Sequence, residues 1–227
     1  MSVISPISII MPTLNEAAVI TSTLAALVHL RQRGHELIVV DGGSHDATRE
    51  LAKPHSDQLI ESAPGRARQM NTGAGDARHS ILWFLHADTL VPPDADQHIQ
   101  SALRQSHWGR FEVRLSGSQP LLRLVEWMMN QRSCWSGIAT GDQGLFMTRE
   151  AWVTVGGFPD IPLMEDIAIS RLLKQRIGRP ACVRTRLITS SRRWEQRGII
   201  RTIGLMWRLR LAYFLGADPT DLARRYR

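Results

Sequence analysis

The residues best suited to chemistry in this chain are carboxylates placed where apolar runs stop. Ile81–Leu85 is an unbroken apolar run. His86-Ala87-Asp88-Thr89 follows it at once, before Pro92-Pro93 bars continuation. In an open α/β sheet, ligands gather beyond the carboxyl ends of the strands. Asp88 could therefore offer an oxygen, and His86 a nitrogen, to a divalent cation, while Asp88 suits equally a turn before Pro92. Leu37–Val40 runs in the same way into Asp41-Gly42-Gly43-Ser44, whose glycines allow a tight turn close to a ligand. Glu165 and Asp166 open a helical stretch after Pro162-Leu163-Met164. Neighbours on a helix point in different directions, so one can face a cleft while the other caps or pairs elsewhere; first-turn acids also simply complement the helix dipole. Arg66 and Arg68 stand at the start of another helical stretch, where backbone amides favour an anion, or else form a solvated basic face.

These residues need elements to position them. Ile7–Met11 is a first strand ended by Pro12, and Pro12-Thr13-Leu14-Asn15-Glu16 is a turn into a helix capped by Asn15, with Glu16 in its first turn. Leu24, Leu27, Val28 and Leu30 give that helix an apolar face, and Gly34 ends it. After the second strand, Ser44 is expected to cap a short helix through Leu51; Gln58–Ile60 is a weak third strand, Arg66–Arg78 a helix, and Ile81–Leu85 the fourth strand. Strand and helix alternate through the first ninety residues or so, which predicts a parallel, doubly wound sheet with right-handed crossovers. Gly42-Gly43 follows the second strand and lacks the G-x-G-x-x-G spacing, which excludes a dinucleotide fingerprint.

The second half reads as a helix from Asp94 to Gln105, a half-buried strand Trp108–Leu115, and a helix Leu121–Met129 whose Trp127, Met128 and Met129 could line an acceptor groove but more often, as such patches do, form core. Gly141-Asp142-Gln143-Gly144 breaks the chain before a short strand at Leu145–Met147, and Gly156-Gly157-Phe158-Pro159 is a loop. A helix from Glu165 carries Ile167 and Leu172 on its apolar face, and Ala181–Ile188 is a further strand. Ile199–Leu215 is a basic amphipathic helix that interleaves Arg201, Arg208 and Arg210 with Trp207, Tyr213 and Phe214, suited to packing on the domain or to a membrane surface. Pro219–Tyr226 is a final helix.

At 227 residues and 43% hydrophobic content the chain buries a full core, and disorder is excluded. The net charge of +7 is carried almost wholly by arginine, since Lys53 and Lys174 are the only lysines; arginine suits phosphates and carboxylates. The charge fits an anionic ligand or an acidic membrane surface. The arginines are spread along the chain without a helix-turn-helix, zinc or RNA-recognition signature, so no nucleic-acid partner is expected. Cys134 and Cys182 form no metal-like pair, and a single disulfide between them would not indicate a secreted scaffold. The N-terminus lacks a basic n-region, Pro6 and Pro12 break its apolar run, and no window offers the roughly 18 apolar residues of a spanning helix. The cytoplasm is the expected compartment, with the inner membrane face as a site of peripheral contact.

Taken in order, these motifs resemble those of family 2 glycosyltransferases with the GT-A fold, over nearly the whole chain. Pro12-Thr13-Leu14-Asn15-Glu16 is similar to an opening P-x-x-N-E, and Val40–Thr48 to V-D-x-G-S-x-D-x-T. Ile81–Thr89 falls where a D-x-D segment sits, Glu165-Asp166 resembles an E-D motif, and Arg193-Trp194 the R-W of Q-x-x-R-W. His-Ala-Asp-Thr, Gly-Asp-Gln and Met-Glu-Asp together also resemble a small bacterial subgroup of transferases described as radical-SAM/selenodomain-associated. The resemblance implies an α/β, GT-A-like fold with a mostly parallel sheet, flanking helices and a C-terminal amphipathic helix. It implies a glycosyltransferase domain over residues 1–195, with a nucleotide-binding half at 1–91 and an acceptor half at 92–195, and a helical extension at 196–227.

It further implies an inverting transfer from a nucleotide-sugar donor to an acceptor hydroxyl, lipid-linked or on a small molecule. Pro12, Thr13 and Glu16 would border the nucleoside and Asp41 would bind its base, with Arg68, Asn71 and His86 on the nucleotide side. Asp88 would hold Mn²⁺ or Mg²⁺, Asp166 would act as the base, and Asp142, Glu165, Arg193 and Trp194 would lie toward the diphosphate and acceptor. Two positions depart from the pattern. His86 replaces the first Asp of D-x-D, which favours Mn²⁺ or leaves His86 on the ribose. Ser190 replaces the Gln of Q-x-x-R-W, which argues against a processive polymerase. A nucleotidyltransferase is the alternative enzyme, but it would want a glycine-rich basic loop after the first strand, which Pro12–Glu16 is not. A non-catalytic nucleotide-sugar-binding protein at a membrane surface is the alternative outside enzymes.

Overall fold

Aliphatic and β-branched runs give the first half its strands. In the computed structural model, which describes residues 5–226, these are β1 (Ile7–Thr13), β2 (Glu36–Asp41), β3 (Gln58–Glu61) and β4 (Ile81–Phe84). They alternate with α1 (Ile20–Ala26), α2 (Val28–Gln32), α3 (Thr48–Ala52) and α4 (Arg66–Asp76). Then follow β5 (Thr89–Leu90), α5 (Ala95–Leu103), β6 (Trp108–Leu115), α6 (Pro120–Ser136), β7 (Phe146–Thr148), α7 (Arg149–Val155), α8 (Glu165–Arg176), β8 (Ala181–Thr189), α9 (Arg192–Arg197), α10 (Ile199–Phe214) and α11 (Pro219–Tyr226). One eight-stranded sheet has the order β3-β2-β1-β4-β7-β6-β8-β5. Strands β3, β2, β1 and β4 are mutually parallel, as the alternating pattern predicts. The other half is mixed: β7 is antiparallel to β4 and β6, β8 is parallel to β6, and β5 is antiparallel to β8.

Because strand side chains alternate in direction, β1 feeds two cores. Ile7, Ile9 and Met11 pack with Leu24, Leu27 and Leu30 and with Ile99 of α5 on one face. Ile10 packs with Val40, Met70, Phe84, Phe158 and Ile169 on the other. Helices on both faces are what a parallel sheet requires, since its strands are apolar on both sides. Buried Glu36 ties the N-terminal ends of these strands together. It accepts from Ser8 Oγ at 2.7 Å, from the Arg78 amide at 2.9 Å and from Gln58 Nε2 at 2.8 Å.

Several local expectations are corrected. Asn15 caps no helix. It takes a positive φ of 55° and its Oδ1 accepts from the amide of His45, so it pins the β2 loop to the β1 loop. Glu16 precedes α1, which begins only at Ile20, and the apolar stretch to Gly34 is two short helices. Ser44 spends its hydroxyl on Asp41, and α3 starts at Thr48. Helix α6 runs past Met129 to Ser136, ended by Gly137 at φ +70°. Trp127 is 61% exposed rather than core, with Met128 and Met129 only half-buried. On α8 the buried residues are Glu165, Ala168, Ile169, Ser170 and Leu173, while Ile167 packs toward the C-terminal helices. Cys134 and Cys182 are disulfide-linked, tying α6 to β8.

Candidate active site

The carboxyl ends of β1, β2 and β4 carry the residues singled out in the sequence, and they sit at different depths. Asp41 is buried at the end of β2 and is consumed by its own turn. Its Oδ2 accepts from the amides of Gly43 and Ser44 at 2.9 and 2.8 Å, and Oδ1 accepts from Ser44 Oγ. Gly43 is at φ +90°, a conformation that only glycine adopts freely. Thr13 lies behind this turn, 3.4 Å from Asp41. Gln69 of α4 bridges the two strands by donating to the carbonyls of Thr13 and Val40. The turn and strand ends are therefore held rigidly before any ligand arrives.

Above them opens a cavity of about 670 Å³. Glu16, His86, Asp88 and Asp142 line one side, and α6, α9, α10 and α11 supply the other with Trp127, Met128, Met129, Trp194, Met206, Trp207 and Tyr226. Six arginines also line it: Arg66, Arg132, Arg192, Arg193, Arg197 and Arg210. His86 Nδ1 stands 3.2 Å from Asp142 Oδ1. Burial pushes the Asp142 carboxyl up, but the hydrogen bond and charge of His86 outweigh it and hold Asp142 below the usual range. The pairing depends on Gly141, because a Cβ there would come within 2.6 Å of His86 Nε2. Burial, then the neighbouring charge of Asp88, push Glu16 above the usual carboxylate range, against Arg192 at 3.7 Å.

Asp166 and Glu165 lie behind the Gly141–Asp142 turn, against a small void shared with Pro12, Arg66 and His86. Asp166 accepts from the Gly141 amide at 2.9 Å and from the Ile167 amide at 2.7 Å. Glu165 is buried and faces Arg66 at 3.6 Å. Burial first, and then the Asp166 charge, push its carboxyl up. The charge of Asp166 also reaches Arg132 and Arg210 across the cavity wall.

Of the residues expected about the nucleotide, Glu16 and His86 line the cavity, while Pro12, Thr13, Asp41, Arg68 and Asn71 do not, and neither does Asp166. Arg68 pairs with Asp160 at 2.9 Å on the surface. Asn71 clamps Phe158, donating to its carbonyl at 2.7 Å and accepting from its amide at 2.8 Å. Arg193 stacks over the Tyr226 ring at 4.1 Å, and Trp194 packs half-buried against Leu122 and Val125. Arg132, Arg197, Arg210 and Tyr226 were not among the expected site residues. Arg210 carried a signal, as one of the arginines on the amphipathic helix, but that helix reads only as packing on the domain or lying on a membrane surface. Arg132 lay past the expected end of α6.

The donor set fits a divalent cation of the oxygen-loving kind. One carboxylate, Asp88, faces the cavity beside Glu16, whose buried Oε2 has no hydrogen-bond partner. Among the described residues no three His, Cys, Asp or Glu side chains form a ready cage. That matches a Mg²⁺-like ion, which binds through one or two carboxylates plus substrate phosphates.

The chain is similar to known proteins in sequence over part of its length and in fold over most of it. The model of the family described as "Glycosyl transferase family 2" matches residues 8–114. Poly-beta-1,6-N-acetyl-D-glucosamine synthase of Staphylococcus aureus is 29% identical over 99 residues, covering 41% of this chain and 24% of that protein. The Staphylococcus epidermidis protein of the same name is 30% identical over 95 residues, covering 39% and 23%. The chain thus spans about a quarter of the length of these curated relatives. Among solved structures, S. aureus TarS 1-349 superposes with a TM-score of 0.67 at 15% identity, covering 82% of this chain and 60% of that one. Glucosyl-3-phosphoglycerate synthase from Mycobacterium tuberculosis, solved with Mn²⁺, UDP and glucosyl-3-phosphoglycerate, gives 0.61 at 20% identity, covering 82% and 71%. The fold is that of the GT-A glycosyltransferases, and residues 8–114 carry the sequence signature of glycosyl transferase family 2.

Proposed function

We propose that this chain is a glycosyltransferase that takes a sugar from a nucleotide-diphosphate donor bound in the 670 Å³ cavity. The observation that carries this is convergence: Glu16, His86, Asp88 and Asp142 come from three separate stretches and meet in one cavity that six arginines also line. The family signature and the fold agree with it. TarS is solved with UDP-GlcNAc and the mycobacterial synthase with UDP and Mn²⁺ or Mg²⁺, which makes a uridine donor the first to test.

In this reading Asp88 would hold a divalent cation, whose charge would offset that developing on the departing diphosphate. Pro12, Thr13 and Glu16 border the nucleoside, with Asp41 beneath it shaping the loop. His86, oriented by Asp142, reaches the ribose or phosphates, and Arg66, Arg192 and Arg193 receive the diphosphate. Asp166 is the base: the acceptor oxygen bonds to the anomeric carbon as the bond to the diphosphate oxygen breaks. The hydroxyl proton passes to Asp166, the bonding pair leaves with the diphosphate, and a single displacement inverts the centre. Glu165, paired with Arg66, is structural. The resemblance to the radical-SAM/selenodomain-associated subgroup is part of the same reading. The exposed apolar residues of α6 and α10, among them Leu124, Trp127, Trp207, Leu211 and Phe214, support peripheral contact with a membrane. No helix among the described residues is long and apolar enough to cross one.

The test is a thermal-shift panel of nucleotide diphosphates and nucleotide sugars with and without Mn²⁺, since a ligand of the folded state raises its melting temperature. Wild type should be stabilised by at least one nucleotide in a metal-dependent way, and Asp88→Ala should not. Asp166→Asn should bind donor within a few-fold and lose about two to four orders of magnitude in turnover, the usual range for a lost base. Near-wild-type turnover removes Asp166 from that role.

A further inference from the structure

The donor leaves part of the cavity's positive charge unmatched. Six arginines line it against three acids, Glu16, Asp88 and Asp142. A nucleotide diphosphate bound with its own divalent cation brings little net negative charge, so it does not consume the surplus. Four of the arginines already have partners. Arg66 faces Glu165 at 3.6 Å, Arg192 faces Glu16 at 3.7 Å, Arg193 stacks on Tyr226, and Arg197 donates to the Tyr226 carbonyl at 2.8 Å. Arg132 and Arg210 differ. Among the described residues neither has a carboxylate within 4.0 Å.

Arg132 holds only a long bond, 3.4 Å, to the Ile138 carbonyl, and its Nη2 is buried with no partner at all. Both side chains are half-buried on the cavity wall, one from the end of α6 and one from α10. Burial lowers both guanidinium pKa values; the Arg210 charge lowers Arg132 further, and Asp166 offsets this for both. Leaving buried guanidinium N–H groups unpaired is costly, so the arrangement is complete only with an anion in place. Two planar forks call for more acceptor positions than a single carboxylate offers, and a phosphate supplies them.

We infer that Arg132 and Arg210 form a phosphate site on the acceptor side of the cavity, so that the acceptor is a hydroxyl compound carrying a phosphate. The anion site stands on its own geometry, while the word acceptor rests on the glycosyltransferase reading. Arg132 reaches the Ile138 carbonyl, on the segment that leads into the Gly141 amide bonded to Asp166, so a phosphate held there lies on the side of the cavity nearer the proposed base. The apolar wall of Trp127, Met128, Met129 and Trp207 lies on the same two helices. The phosphate can therefore belong either to a soluble ester or to a lipid headgroup.

The test measures binding of inorganic phosphate to the full chain, alone and with UDP and Mn²⁺ present. Wild type should bind phosphate in both conditions. Arg132→Gln and Arg210→Gln should each weaken it about tenfold or more, the range for a charge-assisted hydrogen bond. Arg132→Lys keeps the charge but loses the planar fork, so its affinity should fall between those of wild type and Arg132→Gln, which separates charge from fork geometry. UDP affinity and slow donor hydrolysis should stay within about twofold in all variants; if wild type shows neither, the glycosyltransferase reading fails while the phosphate site can still stand. Unchanged phosphate affinity in both Gln variants overturns the proposal, and so does full competition between phosphate and UDP, which would make this the donor's own diphosphate site. Vesicles of phosphatidylcholine with and without phosphatidic acid identify the source. Binding that needs phosphatidic acid and falls in Arg132→Gln points to a lipid headgroup; vesicle binding unmoved by the substitution points to a soluble phosphate ester.

Discussion

Gly141→Ala isolates the orientation of His86 from the stability of the fold. A Cβ on Gly141 would lie 2.6 Å from His86 Nε2 and 3.0 Å from Cε1, whereas ordinary contact begins near 3.4 Å. The ring must therefore move by about 0.8 Å, on the order of the 1 Å misplacement that costs about a hundredfold in rate. It cannot swing freely, because Nδ1 is held 3.2 Å from Asp142 and the side chain is 15% exposed. Gly141 itself is not at positive φ, so alanine strains no backbone there, and its amide can still donate to Asp166. The expectation is a melting temperature within a few degrees of wild type, Mn²⁺-dependent nucleotide binding weakened several-fold, and turnover lower by about two orders of magnitude. Donor hydrolysis measured as nucleotide diphosphate release needs no known acceptor. The decisive comparison is the double variant with His86→Ala, where the clash has no target. If displacement of His86 is the whole effect, the double variant matches His86→Ala alone, a non-additivity expected of residues in contact. Additive losses, or wild-type turnover in Gly141→Ala, would refute a positioned His86.

Further outcomes follow from the same coordinates. Burial acts to raise the Glu36 carboxyl, but bonds from Arg78, Ser8 and Gln58 bring it down to about 2 from 4.5. Its contribution, roughly 3 kcal/mol, is therefore complete above about pH 4.5 and lost as pH falls toward 2; chemical unfolding of Glu36→Gln should lack that dependence. The Cys134–Cys182 link closes a loop of 48 residues, so reduction should lower the unfolding free energy by up to about 4 kcal/mol on chain-entropy grounds, read by urea titration with and without reductant. Arg201 and Arg208 are exposed on α10 away from the cavity lining, and replacing both by Gln should weaken binding to anionic vesicles at low salt without changing nucleotide affinity. Equal vesicle binding would remove the membrane role.

The nucleotide half was legible because its signals are local. Buried parallel strands read as plain apolar runs, and Ile81–Leu85 or Leu37–Val40 have no other comfortable home. Their loops, ending in Asp41 and Asp88, then follow from the rule that ligands sit at carboxyl ends. Capping was misread because Asn15 and Ser44 have the right residue types for N-caps but better partners across the chain. Asn15 meets the His45 amide and Ser44 meets Asp41, bonds between segments roughly thirty residues apart or within a turn, and neither is visible in helical spacing. Helix α7 has no reading from the sequence because Arg149–Val155 is only seven residues long, with few apolar positions to establish a period.

The helical wall of the cavity was hidden for a different reason. An amphipathic helix announces that it has two faces but not what each face meets. Leu209 and Thr202 turn into the protein, Ile200 and Leu211 turn outward, and Met206 and Arg210 turn into the cavity, a third direction that hydrophobic periodicity does not encode. Trp127, Met128 and Met129 were ambiguous in the same way, since an apolar residue serves a core and a cavity wall equally well. Only the packing of α6 against α10, with Tyr226 of α11 over Arg193, turns them into a surface that a ligand can touch. The C-terminal helices thus line the cavity. A truncation after residue 195 would remove Met206, Trp207, Arg210 and Tyr226 from the cavity together, so loss of activity in such a variant could not be assigned to membrane release. Point substitutions at Arg201 and Arg208 on one face, and at Arg210 on the other, separate the two roles that the sequence superimposes on one helix.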